Sequence, residues 1–409
     1  MKILACADIH MGRIPSVRTT DYLTSHSSWD EVVDKAIELS VDVLILAGDV
    51  VEQAEHWFEA YGPLISGLEK LAASHIKVIG VGGNHDYSVF PSLVKESAHI
   101  EVLGLGGKWE YLDYKGVRFV GWSFNTRRVM NNPFDTFNNE LIDTDNALLG
   151  ILHCDIGSSI SSNYAPVSHN DFEKSVIPWW VLGHIHKKEM YERAFYCGSP
   201  YALDSNEKGE HGLYLLENED DGSWKTPEFI PLCPYRFESC VVTLEGAQSE
   251  DDVKDALTQS LRSFAQQITG EGTLLCSITL IGSINRSLDI PSILTQEGLE
   301  AFIMQVNHWR VSVLGNYQDN TTLDVDLEKL SQSPGIVSLL AKKLLNDDEL
   351  AIMVNEYKRI ETQSFTSPSY YALDAPNHTK TDDEYKALVK QAGKKLLYNM
   401  LNVRKGEMR

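Results

Sequence analysis

Val78-Ile79-Gly80-Val81-Gly82-Gly83-Asn84-His85-Asp86 passes from a short apolar run, through paired glycines, into residues able to bind metal or move protons. The apolar part, bounded by Gly and polar residues, reads as a buried strand. The design recurs along the chain. Ile3-Leu4-Ala5-Cys6-Ala7 precedes Asp8-Ile9-His10, and Val43-Leu44-Ile45-Leu46-Ala47 precedes Gly48-Asp49. Leu148 to Leu152 precedes His153, and Trp179 to Leu182 precedes Gly183-His184-Ile185-His186. Ligand residues are thus set repeatedly at the carboxyl ends of strands, where open α/β sheets build their sites.

Each piece alone has an ordinary explanation. Asp-x-His after a strand is more often a turn than a ligand pair, and Gly48-Asp49 alone is a strand-to-loop corner. A lone His153 would be a hydrogen-bonded core histidine. His184 and His186 say more, because alternation in an extended segment puts both imidazoles on one side. Asn84-His85-Asp86 after Gly82-Gly83 is the most specific piece, since the glycines permit a tight backbone path. Five such pieces in this order point to one site.

The chain has 409 residues, 43% of them hydrophobic and 23% charged, a composition ordinary for a globular protein of more than one domain. No apolar run approaches the roughly 20 residues of a membrane span. A strand at the very N-terminus leaves no room for a signal peptide, so a cytoplasmic location is expected. Six cysteines (Cys6, Cys154, Cys197, Cys233, Cys240, Cys276) form no CxxC pair and fit reduced thiols. The formal charge of −22 argues against a protein that grips duplex DNA unaided, because phosphate neutralisation dominates such binding.

From Met1 to about Leu216, strands alternate with helices. Trp29, Val32, Val33, Ala36 and Ile37 share a helical face, with Ser28 and Glu31 at capping-box spacing. A second helix is expected through Trp57, Tyr61, Leu64, Leu68 and Leu71, kinked at Gly62-Pro63. Tyr111 to Val120 reads as a hairpin turning at Lys115-Gly116. Alternation followed by hairpins predicts a layered αββα sandwich.

The expected domains are 1–232, a small α/β domain at 233–330 and a helical region at 331–409. The small domain combines strands at Phe237–Leu244, Thr273–Ile281 and Trp309–Leu314 with a helix over Glu250–Ile268. The tail predicts helices over Ile336–Glu361 and Thr381–Asn402 around a polar linker at about 364–380. Tyr385, Leu388, Val389, Ala392, Leu396 and Met400 form the apolar face of the last helix. That face suits either packing onto the preceding domain or docking of a partner helix.

The ligand set fits hydrolysis of a phosphodiester. Two metals about 3.5–4 Å apart lower the pKa of a water and neutralise charge on the phosphate oxygens. Asp49, central in the series, is the natural bridging carboxylate. Asp8, His10 and His186 then complete one site, and Asn84, His153 and His184 the other. Mixed imidazole and carboxylate ligands suit manganese, iron or zinc. His85, beside a ligand, is placed to protonate the leaving oxygen or stabilise its charge. Asp86 either orients His85 or bonds backbone groups of the loop, the second being favoured.

The ordered set D-x-H, GD, GNHD, H and GHxH resembles that of the calcineurin-like metallophosphoesterase superfamily, over roughly Met1 to Leu216. Within it the chain looks most like the DNA double-strand-break repair nucleases, including the SbcD-type exonuclease subunit. Tyr196-Cys197-Gly198-Ser199-Pro200, followed by Ser205 and Glu207, is similar to that family's Y-x-G-S-P stretch. The resemblance implies a four-layer αββα metallophosphoesterase sandwich with a small α/β cap and a helical C-terminal tail. It implies two divalent ions, commonly Mn2+, with Asp8, His10, Asp49 and His186 at the first and Asn84, His153 and His184 at the second. Asp49 bridges, and His85 is the catalytic histidine. DNA is the implied substrate, and a coiled-coil SbcC-type ATPase, bound through the C-terminal helices, the implied partner. Family members often dimerise through helices of the catalytic domain, for which Trp57, Phe58 and Tyr61 are candidates here, although core packing is the commoner use of such residues.

One position departs from the pattern. Three residues after the GD aspartate the family often has a phosphate-positioning histidine, and this chain has Glu52, whose charge opposes that task. His56 is a candidate substitute, although a surface histidine is the commoner case. The expected function is therefore a DNA exonuclease and endonuclease of repair. The alternatives are a phosphodiesterase or phosphatase for a small phosphorylated metabolite, and a weakly active scaffold in a repair complex.

Overall fold

The computed structural model describes residues 1–13, 25–52, 57–92, 97–157, 162–219, 221–284, 288–323, 326–365 and 380–406. The chain divides into two units, Met1–Glu238 and Ser239–Arg409.

The first unit is built on two six-stranded sheets. One runs, in spatial order, Glu228–Pro231, Gly212–Glu217, Lys2–Cys6, Val43–Ala47, Lys77–Val81 and Ile100–Val102. Its last four strands are parallel. The other runs Glu189–Met190, Ala194–Tyr196, Trp180–Gly183, Ala147–His153, Val117–Trp122 and Trp109–Tyr114. Its four middle strands are parallel.

Period-two alternation assigns each apolar side chain to a layer. Ile3, Ala5, Val43, Ile45 and Ile79 meet Phe119, Leu149, Ile151, Val181 and Phe195 between the sheets. Leu4, Cys6, Leu44, Leu46 and Val78 face the other way, onto Trp29, Val32, Val33, Ala36, Leu64, Leu68 and Leu71 of two helices. Behind the second sheet, Trp122, Leu152, Trp180 and Leu182 pack on Phe172 of the short helix His169–Lys174. Trp109, Phe134 and Phe137 join that packing, Phe134 lying within a 3-10 turn at Pro133–Thr136 and Phe137 just after it. The fold is thus α/β, with helices on the outer faces of two stacked sheets, and the layer behind the second sheet is thin.

Local readings meet the structure with adjustments. The hairpin turns at Lys115-Gly116, both with positive φ, as a two-residue turn between right-twisted strands requires. The first helix spans Ser25–Glu38, so Ser28 lies inside it and not at its cap. The second spans Trp57–Ala73 and continues through Pro63, whose carbonyl accepts Trp29 Nε1–H at 3.1 Å.

In the second unit, one sheet runs Tyr235–Thr243, Gly272–Ile281, Trp309–Asp319, Ile303–Val306, the first of these strands beginning before the unit boundary. Val253, Leu257, Leu261 and Ala265 of helix Glu250–Gln267 pack into the core with Leu274, Cys276, Val311 and Val313. Ser249 and Asp252 close a capping box on that helix.

The tail helices share this core through Val337, Ala341, Leu344 and Leu397. The stretch read as one helix over Ile336–Glu361 is two, Ile336–Leu345 and Asp347–Phe365. Asn346 divides them because its Oδ1 accepts the amides of Asp348 and Glu349, both at 3.0 Å, and so caps a new helix. The last helix spans Asp382–Gly406 and buries Val389 and Leu397, whereas Leu396 and Ala392 of the expected face are exposed. Most of the linker read at 364–380 lies outside the described residues.

Candidate metal centre

The strands that carry the ligands end level with one another. Cys6 pairs with Leu46, Ala47 with Val81, and His153 with Gly183. Asp8, His10, Asp49, Asn84, His85, His153, His184 and His186 therefore emerge at one edge of the two stacked sheets. The loops are laced by backbone bonds, Asp8 N–H to Gly48 O at 3.1 Å, His10 N–H to Asp49 O at 3.0 Å and Met11 N–H to Val50 O at 2.8 Å.

Asp8, His10, Asp49 and His184 all hold positive φ, uncommon for residues with a Cβ. Glycine makes the rest of the path possible. A Cβ on Gly83 would overlap Asp49 Oδ1, and one on Gly48 would collide with the His153 ring. Asp86 ties the loops together, Oδ2 accepting Val50 N–H at 2.6 Å and Oδ1 accepting Gly83 N–H at 2.7 Å. That is the loop-bracing role expected of it, although burial and the charge of Asp49 push its pKa up to about 8.

Asp49 occupies the middle. Its Oδ1 accepts His85 N–H at 2.8 Å, and its Oδ2 lies 3.2 Å from His153 Nε2 and 4.0 Å from His10 Nε2. On one side Asp8, His10 and His186 bring ligand atoms within 4.8 Å of one another. On the other, Asp8, Asp49 and His153 do the same, and Asn84 Oδ1 is 3.1 Å from His153 Nε2. His184 packs its ring on His153 and Tyr164, with centroids 5.3 and 4.8 Å away, and its amide donates to Asp8.

The donor set fits cations. His153 Nδ1 is 3.0 Å from the Ala47 carbonyl, so Nδ1 carries hydrogen and Nε2 offers its lone pair. His186 Nδ1 lies 2.7 Å from Glu207 Oε1, and His10 Nδ1 lies 2.7 Å from Glu52 Oε2. With hydrogen on both Nδ1 atoms, the two Nε2 lone pairs face each other 3.0 Å apart, an arrangement that a shared cation relieves.

The electrostatics agree. Burial opposes ionisation of Asp49, yet His153 and His10 hold its carboxyl well below the usual range. Burial pushes Asp8 upward, against the pull of His153 and His186. Burial likewise works against a charged His153, but Asp49 beside it raises the pKa to about 9, and that proton is one a cation would displace. Burial drives His184 down to about 4, leaving a neutral imidazole.

His85 packs edge-on against the His10 ring, with centroids 5.0 Å apart, and with His10 and Glu52 forms a third group of atoms close enough to hold a cation. Its Nδ1 donates to the Glu52 carbonyl at 2.6 Å, which leaves Nε2 to act on a substrate. Glu52, which stands where a phosphate-positioning histidine is common and is one of the two candidates for that role with His56, has its carboxylate turned to His10, with Oε1 3.5 Å from His85 Nδ1. His56 lies outside the described residues. Sequence reasoning left Ala47 and Glu207 without a role at the metals. A carbonyl carries no sequence signal, and Glu207, although it follows the Tyr196-Cys197-Gly198-Ser199-Pro200 stretch, stands 21 residues from His186 with no periodicity linking the two.

The family model described as Calcineurin-like phosphoesterase matches residues 1–188. The chain is 29% identical over 274 residues to YhaO, an uncharacterized metallophosphoesterase of Bacillus subtilis, covering 62% of each. It is 23% identical over 290 residues to the DNA double-strand break repair protein Mre11 of Methanopyrus kandleri, again covering 62% of each. The match thus spans less than two thirds of the length of these two relatives. Among solved structures, a dimetal phosphatase from Danio rerio aligns with a TM-score of 0.36 and 14% identity, over 54% of this chain and 93% of that one.

Proposed function

We propose that this chain, which carries a calcineurin-like phosphoesterase domain, hydrolyses phosphodiester bonds in DNA with two divalent cations. The observation that carries the reading is the placement of Asp49 between His10 and His153, with His85 held at its edge by the Asp49 carboxylate and the Glu52 carbonyl. Asp8, His10, Asp49 and His186 would hold one ion, and Asp49, Asn84, His153 and His184 the other. Manganese is the proposed metal, with iron or zinc compatible with the same ligands. When bound, the ions supply Lewis-acid activation of water and neutralise phosphate charge. His85 Nε2 then protonates the leaving oxygen or stabilises its charge. Asp86 and the glycines keep the loops in register, so that His85 and Asn84 approach together.

The DNA substrate is supported by the likeness to proteins named for double-strand break repair, at 23% and 20% identity. A coiled-coil ATPase docking on the C-terminal helices, and a homodimer, belong to the same proposal. An ATPase partner would also supply the basic grip that a chain of net charge −22 lacks. A second reading, turnover of a small phosphodiester, is favoured by that same acidity and by Glu52 beside His85.

The test uses the full chain with Mn2+ on linear and single-stranded DNA and on bis-p-nitrophenyl phosphate. Cleavage of DNA that Asp49→Ala and His85→Ala abolish supports the nuclease. Turnover of the small diester alone, with DNA intact even after addition of the ATPase, overturns it in favour of the second reading.

A further inference from the structure

The two halves of the centre are held differently. In the first, both histidines are backed by carboxylates, His10 Nδ1 by Glu52 Oε2 and His186 Nδ1 by Glu207 Oε1, each at 2.7 Å. In the second, His153 is backed by a neutral group, the Ala47 carbonyl at 3.0 Å. His10 Nδ1 and Glu52 Oε2 are both buried and meet at 2.7 Å as an ion-pair contact, with no hydrogen bond to either atom among the described residues.

Both glutamates are themselves fixed. Glu207 Oε2 accepts Leu203 N–H at 2.7 Å, and its carbonyl lies 3.1 Å from His211 Nε2. Buried His211 is tied in turn to Ser199, whose hydroxyl is 3.0 Å from Nδ1. Glu52 is anchored through its backbone, N–H to Met11 O at 3.1 Å and O to His85 Nδ1 at 2.6 Å.

A carboxylate on the far nitrogen of an imidazole fixes the tautomer, aims the ring and makes the near nitrogen a stronger donor. It also adds negative charge close to a bound cation. A cation held by Asp8, His10, Asp49 and His186 would have two more carboxylates directly behind its histidines. We propose that Glu52 and Glu207 are positioning residues that make this first site the tighter of two unequal metal sites, filled before the site of Asn84, His153 and His184. Glu52 links that site to His85 through one residue, its carboxylate on the metal-ligand histidine and its carbonyl on the catalytic one. The inference rests on the two-metal reading of the centre.

The experiment is an equilibrium titration of the metal-free full chain with Mn2+, reading free Mn2+ by electron paramagnetic resonance. Two classes of site are expected in the parent chain. Glu52→Gln and Glu207→Gln should each weaken the tighter class by about 10–100-fold while leaving the weaker class in place. Asn84→Ala should remove the weaker class alone. Thermal melting of each metal-free variant close to the parent's shows that the fold survives.

Two equal sites in the parent chain, or glutamine variants that keep the tight class intact, would overturn the proposal and leave the two-metal reading standing. Loss of both classes together would overturn it too, because it would show a purely structural role. A parent chain that binds no Mn2+ would sink the two-metal reading as well.

Discussion

The two units depart from ordinary burial in opposite directions. In the first, Asp8, His10, Asp49, Asn84, Asp86 and His153 are buried polar groups at the ends of apolar strands. In the second, the tail helices leave Ile336, Leu339 and Ile352 exposed, at 69%, 59% and 64% of their surface. Burying polar groups costs free energy unless they are paired, and here they are paired with one another, with backbone amides and, on the reading above, with cations. Exposed apolar side chains on one pair of helices are the opposite deviation, and the proposed partner docking would use them. The comparison sets buried polar groups in one unit against exposed apolar ones in the other.

The sharpest way to break that picture is His85→Ala. Its loss should lower hydrolysis of DNA or another diester with an alkoxide leaving group by about 10²–10⁴-fold, the range for a positioned acid–base group. Hydrolysis of bis-p-nitrophenyl phosphate should fall by less, because nitrophenolate leaves without a proton. Mn2+ binding measured on the same variant should persist, because His85 is not among the assigned ligands. If hydrolysis of the alkoxide diester survives, the first unit's buried polar set has been assigned the wrong catalyst.

Next comes Gly83→Ala. The added Cβ would overlap Asp49 Oδ1 and displace the central carboxylate. A shift of about 1 Å at a catalytic group can cost about 10²-fold, so steady-state turnover should fall by that order. Turnover equal to the parent's would show that the glycine path does not set the geometry.

In the second unit Leu397→Ala should lower unfolding free energy by about 2–5 kcal/mol, the usual cost of emptying a buried leucine site. Urea denaturation followed by fluorescence reads it, and small-diester hydrolysis at low urea should remain. The smallest effect is expected of Leu396→Ala and Leu339→Glu. Leu396 is 51% exposed, and surface changes of this kind stay within about 0.5 kcal/mol in the same assay. A large loss of stability from Leu339→Glu would mean that the exposed face is structural and not a docking surface.

Much of the first unit was legible because its strands are buried on both faces and leave continuous apolar runs. The candidate ligands follow directly on those runs, so the convergence of Asp8, Asp49, Asn84 and His153 on one sheet edge was legible without knowing the pairing. The tail was less legible. A helix of period 3.6 lets neighbouring leucines trade places on the face, and Leu397, not Leu396, turned out to meet the core. The break at Asn346 was missed because capping competes with helix continuation only through a local side-chain hydrogen bond.

The sequence by itself determined the order of the candidate ligands and the strand ends that carry them, because strand period and loop composition are local. Only the tertiary structure decided what stands behind each histidine. Glu52 meets His10, Glu207 meets His186, and the Ala47 carbonyl meets His153 across stretches of chain with no local periodicity to connect them. Contacts of that kind are set by the register of stacked sheets and the path of their loops, and register is a property of the assembled fold.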